Sequence, residues 1–375
     1  MSYQDTVKKL EQAALHPAKT VTEQIKETGK DAFGCFPIYT PEEIIYAAGL
    51  LPIGMWGGKT ELKLADRYLQ SFCCSIMRSN IEYGMKGTYN MLKGIILPTF
   101  CDTLKCICEN WKVAVPQVPI VPIVYPQNRN IDAGFTYIVE ELQRVKGELE
   151  KLTGKPVSSD DLEAAWELYE EYRKTMREFT DAAAEYPHII GAKTRHLIIK
   201  AGYFMDKKAY MRDIRDIIAG LNAEEKKPFA GNRVVATGLL AEPVELLDIF
   251  EENQVAFAAD DLAQESRQFR TPGRSQGSFF EKMAGRICDQ KGDTFLYEAE
   301  KTRGQMLIDL VKEKKADAVV IFMMKFCDPE EFDYPIYKKE LEAAGIPMLY
   351  LEIDQQIDSF EQIRTRVQSF TEMLI

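Results

Sequence analysis

Short apolar runs of strand length alternate with helical runs between residues 38 and 126, and the same alternation resumes after residue 228. Nothing else in the chain restricts its fold as much, because strands that are apolar throughout and separated by helices belong in a parallel sheet covered on both faces. In the first block a helix from "TPEEIIYAAG" leads to a strand near "LLPIGMW". A helix through "CCSIMRSNIEYGMKGTYNML" leads to the strand "GIILPTF", and the helix "DTLKCICENWKV" to "VPIVPIVYP". The second block runs through "NRVVATGLLA", "QVAFAADD", the helix "EAEKTRGQMLIDLVKEKK", "ADAVVIFMM", a helix after residue 328, "IPMLYLEID" and a final helix.

Between the blocks, "YIVEELQRVKGELEKLTG", "SDDLEAAWELYEEYRKTMREF" and "YFMDKKAYMRDIRDIIAGL" keep helical period with almost no strand signal, which reads as a helical insert or cap. A chain of 375 residues exceeds what one core supports. The expected architecture is α/β: N-terminal helices over 1–30, a first parallel-sheet domain over 31–128, a helical segment over 129–228 and a second parallel-sheet domain over 229–375. Both sheets are expected to be Rossmann- or flavodoxin-like, with a site in the cleft between them.

A net charge of −11 and the lack of a Lys/Arg-rich block argue against a nucleic-acid partner. No apolar run approaches the roughly 20 residues that cross a bilayer, and the first residues lack the apolar core of a signal peptide. The expectation is a cytoplasmic protein without a membrane partner, in which the eight cysteines are reduced and serve packing, catalysis or metal binding.

Cys327 ends the apolar run "VVIFMMKFC" and is followed at once by Asp328, Pro329, Glu330 and Glu331, read as an N-cap, a proline in the first turn and the acid of a capping box. "GIILPTF" likewise runs into Cys101, with Asp102 read as the cap of "TLKCICENW"; Cys74 stands near the start of another helix. Strand carboxyl ends and helix amino ends are where open α/β sheets hold ligands, and the helix dipole favours a thiolate or an anionic cluster there. Packing is nonetheless the commoner fate of a free cysteine, and Cys108 and Cys288 read that way. Cys73 and Cys106 each neighbour a stronger candidate or its helix, and Cys35 lies in what reads as a loop before "YTPEE".

There is no C-x2-C pair, and His16, His188 and His196 are not spaced as partners, so the pattern argues against a zinc ribbon. Three cysteines without a fourth suit an iron–sulfur cluster with one open iron, although spacing alone is a weak signal. The loop "FRTPGRSQGSF" lacks the spacing of a phosphate-binding fingerprint. Glu42 and Glu43 read as a helix-capping box, Arg78 as a helix-surface residue or a contact for a cluster or partner, Trp111 as core or interface, and the charges of 140–175 as solvated helix faces.

Together "FGCFPIYTPEEIIYAAGLLPIGMWG", "CCSIMRS", "ILPTFCDTLKCICENW" and "MMKFCDPEEFDYPIYKKELEAAGIPMLYLEID" resemble the 2-hydroxyacyl-CoA dehydratase / benzoyl-CoA reductase family of strict anaerobes, and the layout is most similar to the smaller, beta subunit of a dehydratase. The resemblance implies a heterodimer with a homologous alpha subunit, each subunit holding a [4Fe-4S] cluster through three cysteines with one iron open. Motif by motif these are Cys74, Cys101 and Cys327, and the doublet Cys73–Cys74 leaves the first position open by one residue.

It further implies an ATP-dependent iron–sulfur activator that delivers an electron. An (R)-2-hydroxyacyl-CoA, such as 2-hydroxyisocaproyl-CoA, would be bound mainly at the partner subunit and converted to the (E)-2-enoyl-CoA through a ketyl radical. This chain would then be the electron relay. A benzoyl-CoA-reductase-type subunit, and a non-catalytic scaffold with buried cysteines, are the alternatives.

Overall fold

The computed structural model describes residues 2–374. Two helices, α1 (Tyr3–Leu15) and α2 (Pro17–Thr28), precede a first sheet unit of β1 (Ala32–Cys35), α3 (Glu42–Ala47), β2 (Leu51–Gly54), α4 (Ser75–Met85), β3 (Leu92–Pro98), α5 (Asp102–Ala114) and β4 (Ile120–Ile123). The helical segment comprises α6 (Asp132–Thr153), α7 (Ser159–Glu185), α8 (Ala192–Ala201) and α9 (Lys207–Ala223). A second unit follows as β5 (Asn232–Gly238), α10 (Glu245–Glu252), β6 (Val255–Leu262), α11 (Phe279–Asp289), α12 (Arg303–Lys314), β7 (Ala318–Met324), α13 (Asp328–Ala343), β8 (Met348–Ile353) and α14 (Glu361–Met373).

Each unit is a four-stranded parallel sheet, ordered β2-β1-β3-β4 and β6-β5-β7-β8. The two orders are the same permutation, the flavodoxin-like one, and both place a topological switch point beside the first strand of the unit. The sequence reading misses β1, a central strand, and puts Cys35 in a loop instead of at that strand's end. "AFGC" is too short to show a period, and its glycine counts against a strand. Gly34 is nevertheless required there, since a Cβ would lie 2.4 Å from the Met55 sulfur and 2.7 Å from Ile95.

In β7 every residue is buried, and "AVVIFMM" packs helices on both faces. One apolar core runs through both sheets, whereas α1 joins a second core formed by α7, α8 and α9. Among the described residues no helix is long and apolar enough to cross a membrane.

The reading of 140–175 as solvated faces fails at Arg173, which is buried and donates to Glu43 (2.6 Å) and to Glu170. Glu43 is thereby an ion-pair partner, not a capping residue. Pro41 is the N-cap of α3 and makes no side-chain cap bond.

Candidate functional site

The carboxyl ends of the two sheets face each other across a cavity of about 530 Å3, part of it open to solvent. Cys74, Cys101 and Cys327 all line it, with Trp56, Met77, Leu104, Leu239, Phe295 and Phe326 among its largely apolar walls. Residues following β1, β2, β3, β5, β6 and β7 reach it, so the cavity lies at the switch points of both sheets, where doubly wound folds bind ligands.

Each thiol sits at the N-cap of a helix: Cys74 on α4, Cys101 on α5 and Cys327 on α13. This corrects the sequence reading, which gave the caps to Asp102 and Asp328. Both aspartates are instead the first residues inside their helices, and the Asp102 side chain is 92% exposed. The Cys101 sulfur accepts from the Leu104 N–H at 3.5 Å, doing weakly what a serine oxygen would do. The amino ends of three helices therefore lie at the three sulfurs, with one N–H bonded to Cys101, and their dipoles favour negative charge in the cavity.

The chain must turn sharply to deliver Cys327. β7 ends at Met324, Phe326 takes a left-handed conformation (φ 63°), and the Cys327 N–H donates to the Met324 carbonyl at 3.1 Å. A phenylalanine with positive φ is strained, and such strain persists only where the surroundings enforce it.

Enforcement comes from a buried ion network at the start of α13. Glu330 accepts from Arg267 Nη1 (3.0 Å) and Arg303 Nη1 (2.8 Å). The same two guanidiniums donate to Asp261 at the end of β6 (3.0 and 3.1 Å), which also accepts from Thr237 of β5 (2.8 Å). Asp261 is thereby held well below the ordinary carboxylate range: burial raises it, but Arg267, Arg270 and Arg303 outweigh that. Asp261, Arg267 and Arg303 were not singled out from sequence, and Glu330 was read only as part of the acidic start of a helix. The only available signal was the paired acids of "AADD" at a strand end.

Burial pushes the Cys74 thiol up to about 12, with the Cys101 thiol adding to it. Cys327 is raised well above its ordinary value by burial, then by Glu330 and Cys74. Cys101 is raised by burial and pulled back by the N–H groups of Leu104 and Thr103. The three sulfurs thus feel one another, and without a cation among them they are neutral thiols.

The other candidates lie elsewhere. Cys73 is buried but does not line the cavity; Cys108 is core, Cys106 exposed, and the Cys288 sulfur lies 3.1 Å from the Arg129 carbonyl. Cys35 lines a smaller neighbouring pocket with Tyr203 and Trp56. Arg78 pairs with Asp66 (2.6 Å), Trp111 packs edge-on against Phe36 in the core, and the Gly273 amide donates to Glu170 (3.0 Å).

Among the described residues no three His, Cys, Asp or Glu side chains converge on a point that would hold one metal ion. The three thiols surround a space instead.

Two flavodoxin-like parallel-sheet units with a thiol-lined cavity between them define an α/β protein of the doubly wound class. The family model described as "2-hydroxyglutaryl-CoA dehydratase, D-component" matches residues 37–374. The chain is 41% identical over 359 residues to the (R)-phenyllactyl-CoA dehydratase beta subunit of Clostridium sporogenes, covering 96% of each chain. It is 44% identical over 368 residues to the beta subunit of lactoyl-CoA dehydratase of Anaerotignum propionicum, covering 97% of each. It is 25% identical over 363 residues to a benzoyl-CoA reductase subunit of Thauera aromatica, covering 95% of this chain and 94% of that one. The chain belongs to the 2-hydroxyacyl-CoA dehydratase family and is a hydro-lyase subunit.

Proposed function

We propose that the chain is the beta subunit of an (R)-2-hydroxyacyl-CoA dehydratase and holds a [4Fe-4S] cluster through Cys74, Cys101 and Cys327, with one iron open. The observation that carries this reading is the placement of those three sulfurs, each at a helix amino end, around one apolar cavity. The cluster would supply one electron at low potential. The chain's own groups provide the rest: thiolates as ligands, first-turn N–H groups to stabilise their charge, and apolar walls that keep water away and set the potential.

The chemistry needs an electron because the hydrogen at the β-carbon of a 2-hydroxyacyl thioester is hardly acidic, so an acid/base pair alone is inadequate. One electron added to the thioester carbonyl gives a ketyl radical anion, which expels the 2-hydroxyl as hydroxide. The resulting enoxy radical has an acidified β-proton; its removal gives a second ketyl, which returns the electron and leaves the 2-enoyl-CoA. Water is the net loss and no electron is consumed. In this reading the chain is an electron relay, substrate turns over at a homologous alpha subunit, and an ATP-dependent iron–sulfur activator supplies the electron. The protein would then be cytoplasmic and oxygen-sensitive.

Iron and sulfide content of anaerobically purified protein tests the reading. About four irons per chain are expected, from the cluster type. Cys74→Ala, Cys101→Ala and Cys327→Ala should each lose them, and Cys73→Ala should keep them. A colourless, iron-free wild type would defeat it. The relationship to a benzoyl-CoA reductase subunit keeps aromatic ring reduction as the second reading, decided by assaying 2-hydroxyacyl against aromatic thioesters.

A further inference from the structure

A second cavity, of about 610 Å3 and partly open to solvent, lies between α3, α7 and α11, and none of the eight cysteines lines it. The carboxylates around it are already engaged. Glu43 and Glu170 both bind Arg173 (2.6 and 2.8 Å), while Glu42 accepts from the Tyr169 hydroxyl (3.1 Å) and pairs with Lys207 (3.2 Å).

Two side chains in the wall each keep a donor free. Arg286, 9% exposed, donates Nε to the Thr271 carbonyl (3.1 Å) and Nη2 to the Gln268 carbonyl (2.5 Å), but among the described residues it forms no ion pair and its Nη1 has no acceptor. Tyr172, 7% exposed, has no hydrogen-bond partner for its hydroxyl among the described residues, and it feels the charge of Arg286. A buried guanidinium without a counter-ion is costly. Burial, then the like charge of Arg173, pushes the Arg286 pKa down to about 10, and Glu43 and Glu170 pull it back only in part.

We propose that this cavity is a ligand site for a short organic monocarboxylate, whose oxygens accept from Arg286 Nη1 and the Tyr172 hydroxyl while its apolar tail lies against Leu142, Trp166, Met283 and Ile287. One charge and two donors match one carboxylate; a phosphate dianion would leave most of its acceptors unmet against apolar walls. The site is separate from the thiol cavity and does not depend on the cluster.

Trp166 in the wall supplies the signal. The whole chain is titrated anaerobically with butyrate, hexanoate and inorganic phosphate while tryptophan fluorescence is followed, with Trp166→Phe to assign the response and calorimetry as a second readout. A saturable response to the carboxylates is expected. It should weaken about tenfold or more in Arg286→Gln, the loss of a charged hydrogen bond, and about threefold or more in Tyr172→Phe, with no saturation by phosphate.

No saturable carboxylate binding by either readout overturns the proposal, as does unchanged affinity in Tyr172→Phe. That second variant carries the test if Arg286→Gln unfolds. Phosphate binding as tight as the carboxylates would overturn the assignment of the ligand. Iron content plays no part, so a failure here is distinguishable from a failure of the dehydratase reading.

Discussion

His196 is buried with its Nδ1 2.8 Å from Glu265 and its Nε2 3.4 Å from Glu242, beside Arg195, which pairs with Glu265 and Asp260. Burial lowers the imidazole's pKa, but hydrogen bonds and charge from Glu242 and Glu265 outweigh it, so the folded value is raised above 6.5. The native state therefore binds this proton more tightly than the unfolded chain does. Its contribution to stability is full below about pH 6.5 and is lost as pH rises through the raised native value. Urea unfolding measured across this range should show stability falling with pH, and His196→Gln should flatten that part of the profile. An unchanged slope in the variant would assign the titration to another group. From sequence His196 showed only that it was no metal partner, because its two carboxylates lie 46 and 69 residues away.

At the level of elements, α13 is held at its first turn. Arg267 is wholly buried and shares Asp261 and Glu330 with Arg303, so replacing it with leucine leaves Glu330 with one of its two arginines and Asp261 with two of its three. Removing one member of such a buried set costs about 3–5 kcal/mol. Arg267→Leu should lose that much in urea denaturation, and Arg267→Lys should recover little, since an ammonium cannot span both carboxylates. A loss under about 1 kcal/mol would mean that Arg270 and Arg303 suffice.

The elements themselves were unevenly legible. β5 to β8 could be read because they are long apolar runs between turn signals. β1 could not, being four residues around a glycine that only the neighbouring Met55 and Ile95 make necessary. The cap positions misled because serine, aspartate and asparagine are the usual caps, and a chain that places cysteines there looks as if its helices start one residue later. The three thiols could be picked out by their place at strand and helix ends, but the arginines that fix Cys327 could not. Their pairing depends on contacts 63 and 27 residues away from Glu330, which no local pattern encodes.

Over the whole molecule, the two sheet units are distinct in topology but not in packing. One apolar core continues from Ile95 and Leu97 through Cys74 and Cys327 to Phe322 and Leu351. Polar ties cross the same boundary: the Gln355 backbone N–H donates to Ser75 Oγ (3.1 Å) and its side chain donates to the Trp56 carbonyl (2.9 Å), while Arg195 and His196 of α8 tie the helical segment to Asp260 and Glu265 of the second unit. Domains that unfold independently meet through more polar surfaces than this continuous apolar core. The chain should therefore unfold in one step despite its size, and the distribution of its tryptophans makes that measurable. Trp56, Trp111 and Trp166 all precede residue 229, so fluorescence reports the first sheet unit and the helical segment, whereas far-UV circular dichroism reports the entire chain. Coincident urea midpoints for the two signals are expected. A second dichroism step after the fluorescence change is complete would show that residues 229–374 stand alone, and the thiol cavity would then be a contact between two stable bodies instead of part of a single core.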